Sequence, residues 1–258
     1  SVKEARYFRG YAYYESGLWQ QAYNSFKQYV AAYPEDPAAA ETQYYASEAL
    51  FNNKQFEAAA REYRIVYQRF PRSDYAPMAM YAEGWCYFEM EKFDDMVNVF
   101  KQLSTRFPNS SYAGDALFTV GDYFYNQKDY PNASIAYTEL IEKFPFYERI
   151  EEARALVYDL SQINSYLEYE EAMKFFDARD YKRAIVELKK VLEKYPDESI
   201  AVGCRVNIAA SYEMLDDFRN AAEWYKIVIE KYDGSTDDNE RSAVFFAKEH
   251  LEWVLSQL

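Results

Sequence analysis

The fold is decided by the stretch at residues 56–93, which reads FEAAAREYRIVYQRFPRSDYAPMAMYAEGWCYFEMEKF. It begins and ends on phenylalanine, and Phe70-Pro71 lies between them. The flanking aromatic position recurs 37, 37, 37, 51 and 37 residues apart, at Trp19, Phe56, Phe93, Tyr130, Tyr181 and Phe218. The aromatic–proline pair recurs with the same spacing at Tyr33-Pro34, Phe70-Pro71, Phe107-Pro108, Phe144-Pro145 and Tyr195-Pro196. A fixed period of this length indicates an array of stacked structural repeats.

Each repeat has the residue spacing of two helices joined by a short polar turn. Apolar residues fall three or four positions apart, as in Ala22, Phe26, Tyr29 and Tyr33, which is typical of an amphipathic helix. The proline that follows each second helix ends it, because the ring cannot continue the hydrogen-bond ladder. The sequence therefore predicts a helix-turn-helix unit in every repeat.

Residues at equal positions in successive repeats, here called a column, keep their size. The first helix carries a small column, which is Gly10, Ser47, Gly84, Gly121, Ala172 and Ala209. The second helix carries another, which is Ala22, Ala59, Met96, Ala133, Ala184 and Ala221. The large column of the first helix is Tyr13, Leu50, Tyr87, Phe124, Phe175 and Tyr212, and that of the second is Phe26, Tyr63, Phe100, Tyr137, Leu188 and Tyr225. We predict that these four columns form the core.

On these residues the chain resembles the tetratricopeptide repeat family, whose small–large–small pattern is met by Gly10, Tyr13, Ala22, Phe26 and Pro34. The resemblance implies an all-α fold, a right-handed superhelical solenoid of six helix-turn-helix repeats plus a C-terminal capping helix. The period here exceeds the family's usual 34 residues by three. We predict four regular repeats in residues 1–145, two further repeats in residues 146–236 and the capping helix in residues 237–258.

The longer fourth step, of 51 residues, adds 14 residues between the fourth and fifth repeats. No glycine or proline interrupts the sequence from Phe146 to Tyr195, so the extra residues can lengthen the first helix of the fifth repeat. Fourteen residues are close to four helical turns, and the helix would nearly keep its facing direction. We predict one helix from about Glu148 to Phe176, on the order of 40 Å long.

A shorter motif narrows the resemblance. The pattern aromatic-Pro-x-Ser-x-Tyr-Ala occurs as Phe70–Ala76 and as Phe107–Ala113. It is similar to bacterial envelope members of the family, such as the lipoprotein of the outer-membrane β-barrel assembly machinery and the periplasmic TolA-binding coordinator. This resemblance implies a periplasmic protein of the cell envelope, either free or tethered to the outer membrane as a lipoprotein. The acylated cysteine of such an anchor would lie upstream of Ser1.

The composition excludes several functions. There are 29 Lys and Arg against 43 Asp and Glu, a net charge of −14, which disfavours binding to nucleic-acid phosphates. The sequence has no apolar run near 18 residues, so we expect no transmembrane segment. With one histidine and two distant cysteines, we expect no catalytic residues, no metal site and no cofactor. His250 is expected to have a surface or capping role.

The resemblance also implies that the first helix of each pair lines a concave groove. Three columns of this helix are aromatic or acidic, and we call them the first, middle and last groove columns. The first is Tyr7, Tyr44, Tyr81, Phe118 and Tyr169; the middle is Tyr11, Glu48, Trp85, Asp122 and Met173; the last is Tyr14, Phe51, Phe88, Tyr125 and Phe176. We predict that all of them except Met173 and Phe176 form a groove that binds a partner protein or peptide. Rigid aromatic rings give large contact area at low entropic cost, and carboxylates favour ligands that carry Lys or Arg.

Two other interpretations stay open at this point. The groove columns could pack adjacent repeats together, with the acids as a solvated face. Alternatively, stacked aromatic rings with carboxylates also suit a carbohydrate or a peptidoglycan strand. Salt separates the two kinds of ligand, because only the binding of a cationic peptide should weaken as ionic strength rises. We expect a non-catalytic adaptor, with carbohydrate binding as the alternative.

Overall fold

The computed structural model describes residues 2–258, within which there are thirteen α-helices and no strand. The helices are α1 Val2–Glu15, α2 Trp19–Ala32, α3 Ala39–Asn52, α4 Phe56–Arg69, α5 Tyr75–Glu89, α6 Phe93–Arg106, α7 Ser111–Asn126, α8 Tyr130–Lys143, α9 Ile150–Asp177, α10 Tyr181–Lys194, α11 Ala201–Glu213, α12 Phe218–Tyr232 and α13 Asp238–Ser256. The prediction of an all-α fold built from helix-turn-helix repeats is confirmed.

The chain forms two compact units, and the division lies within α9. One unit ends at Arg154 and the other begins at Ala155. Helix α9 has 28 residues, about twice the length of its neighbours, and confirms the predicted long helix. The last helix, α13, is capped by Asp237, whose side chain accepts hydrogen bonds from the backbone amides of Asn239 (2.9 Å) and Glu240 (3.0 Å). No helix among residues 2–258 combines the length and the apolar character needed to cross a bilayer.

The turn inside each repeat contains one residue in the left-handed backbone region. These residues are Gly17, Lys54, Glu91, Lys128, Arg179 and Asp216, with φ between 57° and 69°. The residue that follows closes the turn, as where the amide of Gln55 donates to the carbonyl of Leu50 at 2.9 Å. Since only the first turn has glycine, the other five hold a conformation that costs roughly 1–2 kcal/mol for a residue with a side chain.

The large column of the second helix forms the centre of the core. All six of its members have 0% exposure, from Phe26 to Tyr225. The small column of the first helix faces it so closely that a Cβ added at Gly84 would lie within 2.6 Å of the Phe100 ring. At Gly121 an added Cβ would come equally close to the Tyr137 ring. The small residues therefore let the two helices approach, and their prediction as core is confirmed.

The large column of the first helix differs from the prediction. Only Leu50 is buried; Tyr13, Tyr87, Phe124, Phe175 and Tyr212 are partly exposed. The reason is visible at two of the tyrosines, whose hydroxyls extend to basic side chains on a second helix. Tyr87 accepts from Arg64 at 2.8 Å, and Tyr212 accepts from Lys189 at 2.9 Å. These rings cover the rim of the core rather than its centre.

Candidate functional site

The first groove column packs between consecutive repeats. Each ring is covered by a residue 31 positions later: Tyr75 lies 5.5 Å from Tyr44, Tyr112 lies 5.4 Å from Tyr81, and the Arg149 guanidinium lies 3.7 Å from the Phe118 ring centroid. The packing interpretation therefore accounts for one side of these rings. In the unit that begins at Ala155, the hydroxyl of Tyr169 accepts a hydrogen bond from Asn207 at 2.8 Å.

Phe118 corrects the predicted groove. It is 1% exposed, although the sequence places it in the same column as Tyr44 and Tyr81. Tyr137 packs against its ring at 5.3 Å and Tyr147 at 6.1 Å, while Arg149 lies over it. A ligand cannot reach a side chain covered in this way, so Phe118 belongs to the core.

The last groove column packs against the first residue of the second helix in the same repeat. Each pair is T-shaped: Tyr14 with Trp19 at 5.2 Å, Phe51 with Phe56 at 5.2 Å, Phe88 with Phe93 at 5.8 Å, and Tyr125 with Tyr130 at 5.9 Å between centroids. Phe88 and Tyr125 nevertheless remain 40% and 38% exposed. The column stabilises the turn and still offers two rings at the surface.

The acids of the middle groove column have internal partners. The hydroxyl of Tyr63 donates to Glu48, and the hydroxyl of Tyr137 donates to Asp122 at 2.5 Å. Burial raises the pKa of both tyrosines, so their hydroxyls stay protonated and remain donors. The hydrogen bond to Asp122 raises the pKa of Tyr137 further, and burial raises the pKa of Asp122 itself. Both carboxylates therefore have a structural role that the sequence interpretation missed.

A signal for this role was present in the sequence. At two tyrosines in the large column of the second helix, Tyr63 and Tyr137, the residue 15 positions earlier is Glu48 or Asp122. Where that column has phenylalanine or leucine, the same position holds a residue without a carboxylate: Tyr11 before Phe26, Trp85 before Phe100, and Met173 before Leu188. In these repeats an acid is therefore present where the buried ring has a hydroxyl that needs an acceptor.

In the sixth repeat the carboxylate that accepts from the buried tyrosine comes from a different position. Ala210 lies 15 positions before Tyr225, so the usual position has no acid. The hydroxyl of Tyr225 donates instead to Glu213, 12 positions earlier, at 2.7 Å. A buried tyrosine hydroxyl therefore has a carboxylate partner here as well.

Hydrogen bonds from tyrosine to carboxylate recur elsewhere in the chain. Glu41 accepts from both Tyr7 (3.3 Å) and Tyr11 (3.0 Å), which places these two predicted groove residues in a polar network. Further examples are Tyr67 to Glu83 at 2.6 Å, Tyr147 to Asp115 at 2.8 Å and Tyr195 to Glu168 at 2.9 Å. Much of the aromatic and acidic pattern of the sequence therefore stabilises the fold.

One cavity brings five of the predicted residues together, and we call it the Trp85 cavity. It has a volume of about 310 Å³ and is lined by Tyr44, Glu48, Phe51, Asn52, Tyr63, Met78, Tyr81, Ala82, Trp85 and Tyr112. Trp85 lies edge-on to Tyr81 at 6.0 Å and to Phe88 at 5.3 Å. The walls come from α3, α4, α5 and α7, so three successive repeats position the site.

Three donors that line the Trp85 cavity have no acceptor in the described part of the chain. Within residues 2–258, no side chain or carbonyl accepts a hydrogen bond from the hydroxyl of Tyr81, the hydroxyl of Tyr112 or the indole of Trp85. Glu48 takes part in no ion pair with a described Lys or Arg. Aromatic surface, three free donors and one carboxylate are what a site for a peptide side chain requires.

The remaining titratable groups have structural surroundings. His250 lies with Nδ1 2.9 Å from Glu213 and its ring stacked on Phe246 at 3.8 Å, so it joins α13 to α11. Cys86 and Cys204 are both buried, and burial raises the pKa of each thiol. Among residues 2–258, no three His, Cys, Asp or Glu side chains are grouped to hold a metal ion.

Comparison with protein families identifies tetratricopeptide repeats in the first part of the chain. One tetratricopeptide-repeat model matches residues 7–74, and a second matches residues 78–110 and 115–146. A domain of unknown function (DUF6340) matches residues 170–252. Comparison with curated proteins gives no match.

Several solved structures are similar over nearly the whole chain. A tetratricopeptide repeat protein from Parabacteroides merdae is 14% identical, with 95% of this chain and 98% of that chain covered and a TM-score of 0.47. The pilF protein of Pseudomonas aeruginosa is 14% identical, with 93% and 96% covered and a TM-score of 0.41. The TPR2AB domain of yeast Sti1, in complex with pHSP90, is 15% identical, with 100% and 98% covered and a TM-score of 0.39. At these identities and TM-scores, none of the three structures indicates a partner or a site in this chain.

Proposed function

Since the chain is a tetratricopeptide-repeat protein, we propose that it is a non-catalytic adaptor that binds a partner protein at the Trp85 cavity. The bound part would be a peptide segment or an exposed side chain of the partner. Repeats of this kind generally mediate contacts between proteins, and stacked repeats present extended surfaces for them. No cofactor enters the proposal.

The observation that carries the proposal is that one cavity gathers several aromatic rings, three of which carry donors without an acceptor among residues 2–258. Several tyrosine hydroxyls elsewhere in the chain donate to carboxylates, as Tyr67 does to Glu83. At the cavity, Tyr81, Tyr112 and Trp85 present donors that no residue among 2–258 accepts from. Tryptophan and tyrosine in such pockets are the residues that most often dominate binding between proteins.

We extend the proposal to the bacterial cell envelope, with the protein in the periplasm, free or tethered to the outer membrane. The support for this is the resemblance of the motif at Phe70–Ala76 and Phe107–Ala113 to envelope members of the family. In the structure this motif also has a local function, because Ser73 and Ser110 accept from the backbone amides of Tyr75 (3.2 Å) and Tyr112 (3.3 Å). It thereby begins the helices whose first tyrosines cover Tyr44 and Tyr81.

Photocrosslinking from the rim of the cavity tests the proposal. The photoreactive residue p-benzoylphenylalanine would replace Phe88, which is 40% exposed and lies beside Trp85. We expect a discrete crosslinked partner in the cells of origin, and we expect Trp85→Ala to remove it. Trp253→Ala is the matched control, because it makes the same change at a half-exposed tryptophan on α13.

The outcomes separate the parts of the proposal. A crosslink that is unchanged by Trp85→Ala would contradict binding at the cavity. A crosslink that depends on Trp85 but is found only outside the envelope fraction would contradict the location and leave the adaptor function in place. If purified glycan strands bind independently of salt and also depend on Trp85, the carbohydrate alternative replaces the adaptor.

A further inference from the structure

The charge of Glu48 has no cationic partner among residues 2–258. Its carboxylate accepts a hydrogen bond from Tyr63, and burial and the nearby Glu48 charge raise the pKa of Tyr44. Hydroxyl groups can solvate a carboxylate, but they do not neutralise it. No ion pair of the described residues includes Glu48, so its negative charge faces the Trp85 cavity uncompensated.

The rings around this carboxylate add to the same preference. Tyr44, Phe51, Tyr81, Trp85 and Tyr112 all line the cavity. The face of an aromatic ring carries negative electrostatic potential, and tryptophan attracts a cation most strongly. Aromatic cages in other proteins recognise quaternary ammonium and methyl-lysine groups. The walls and the carboxylate therefore favour the same kind of charge.

The fourth repeat shows this arrangement with a cation present. Phe118 and Asp122 lie 74 residues, or two periods, after Tyr44 and Glu48. There the guanidinium of Arg149 lies 3.7 Å from the centroid of the Phe118 ring. Burial raises the pKa of Asp122, and the positive charge of Arg149 opposes that rise. The chain thus places its own cation over the equivalent ring and near the equivalent acid, although the ion pair of Arg149 is with Glu152 at 2.8 Å.

The second repeat lacks this internal cation. The residue two periods before Arg149 is Tyr75, which packs against Tyr44 and carries no charge. We infer that the Trp85 cavity binds a cationic side chain of the partner, a lysine ammonium or an arginine guanidinium, between Glu48 and the rings. This inference rests on the proposed adaptor function and names the group that the partner contributes.

The cavity is large enough to receive one lysine or arginine side chain. Pockets for drug-sized ligands span roughly 300–1,000 Å³. The Trp85 cavity, at about 310 Å³, lies at the lower limit of that range. The cavity therefore has room for the side chain of one lysine or arginine of the partner.

Fluorine NMR on the full chain tests the inference. Tryptophan would be replaced by 5-fluorotryptophan, and the Trp85→Phe variant would identify the resonance of position 85. The probes are three blocked tripeptides, Gly-Lys-Gly, Gly-Arg-Gly and Gly-norleucine-Gly, of which the last has a neutral side chain of similar length. We expect saturable shifts with the lysine and arginine peptides and about tenfold weaker binding of the norleucine peptide.

Two amide variants separate the charge of Glu48 from its structural role. Glu48→Gln keeps an oxygen that can accept from Tyr63 but removes the charge, and we expect it to abolish the preference for lysine over norleucine. Asp122→Asn is the matched control, because Asp122 accepts from Tyr137 in the same way at a site outside the cavity. It should leave the preference unchanged. Higher salt should weaken binding of the lysine peptide to the wild type and to the control, but not to Glu48→Gln.

Three results would overturn the inference: no saturable shift with any peptide, equal binding of lysine and norleucine, or an unchanged preference in Glu48→Gln. Each of them is distinguishable from failure of the adaptor function. A crosslink at position 88 that requires Trp85 but not the charge of Glu48 would keep the adaptor and replace the cation with an apolar group.

Discussion

The close approach of Gly84 and Phe100 predicts how a single methyl group would affect stability. In Gly84→Ala, the new Cβ would lie 2.6 Å from two atoms of the Phe100 ring and closer still to a third. The ring has 0% exposure and stacks on Tyr81 at 5.3 Å, so it cannot move aside freely. Overpacking of this kind costs about 1–3 kcal/mol. The better helix propensity of alanine returns about 1 kcal/mol.

We therefore expect Gly84→Ala to lower the free energy of unfolding by about 1 kcal/mol, within a range of roughly 0–2 kcal/mol. Urea denaturation followed by circular dichroism measures this change, with hydrogen exchange of α5 and α6 as the local readout because repeat arrays need not unfold in one step. Gly203→Ala is the control, since its Cβ would lie no closer than 3.2 Å, to the Tyr169 hydroxyl. That variant should lose less stability than Gly84→Ala, because its closest contact is with the end of one side chain and is longer.

A second substitution tests the cause. The fifth repeat has Ala172 and Leu188 at the positions equivalent to Gly84 and Phe100, and both are buried. The double variant Gly84→Ala with Phe100→Leu should therefore recover about 1 kcal/mol relative to the sum of the single changes. If Gly84→Ala is no less stable than the wild type, or if the two changes are additive, the close approach does not limit the packing of these helices.

Four further predictions concern a turn, two carboxylates and a thiol. Lys54→Gly should stabilise the chain by up to about 1 kcal/mol in urea titrations because φ is 59° there, whereas Gly17→Ala should destabilise it. Burial alone would raise the pKa of Glu62, but hydrogen bonds from Lys27 and Gln43 lower it overall. Glu62→Gln should therefore lower the free energy of unfolding by about 1 kcal/mol at neutral pH. This difference should vanish as the pH falls through the lowered pKa of Glu62. The raised pKa of Asp122 has the opposite effect on stability, because its ionised form is disfavoured in the folded chain. Asp122→Asn should therefore be at least as stable as the wild type at neutral pH. Any gain in stability should disappear below the usual aspartate pKa. Burial raises the pKa of the Cys204 thiol to about 12, so iodoacetamide should label it at neutral pH only after unfolding, as mass spectrometry would show.

The repeat, the long helix and the buried columns could be predicted because each follows from spacing alone. A residue such as Phe100 recurs at a fixed step, and its place in the core depends only on that step and on the periodicity of the helix. The insertion before Tyr181 contains no helix-breaking residue, so its length predicted α9. Local rules of this kind do not require knowledge of which side chains meet.

The candidate site was harder to predict because it depends on contacts between helices. Glu48 and Asp122 look alike in the sequence, and both accept from a buried tyrosine, yet only Glu48 faces the Trp85 cavity. Phe118 looks like Tyr81, but Arg149 covers it where Tyr81 meets the uncharged Tyr112. Whether a ring lies open or covered is decided by a residue from the next repeat, which the helical pattern of one repeat does not contain.

The pairing of tyrosine with an acid 15 residues earlier also constrains how duplicated repeats can diverge. A descendant of the third repeat that gained tyrosine at Phe100 while keeping Trp85 would have a buried hydroxyl without its acceptor. An acid gained first would be partly buried without its donor. Either single step costs about 1–3 kcal/mol, a large share of the stability of an ordinary domain. Exchange of a whole helix pair would keep the hydroxyl and its acceptor together and so avoid that cost, and a new acid elsewhere on the first helix, as at Glu213, would do the same.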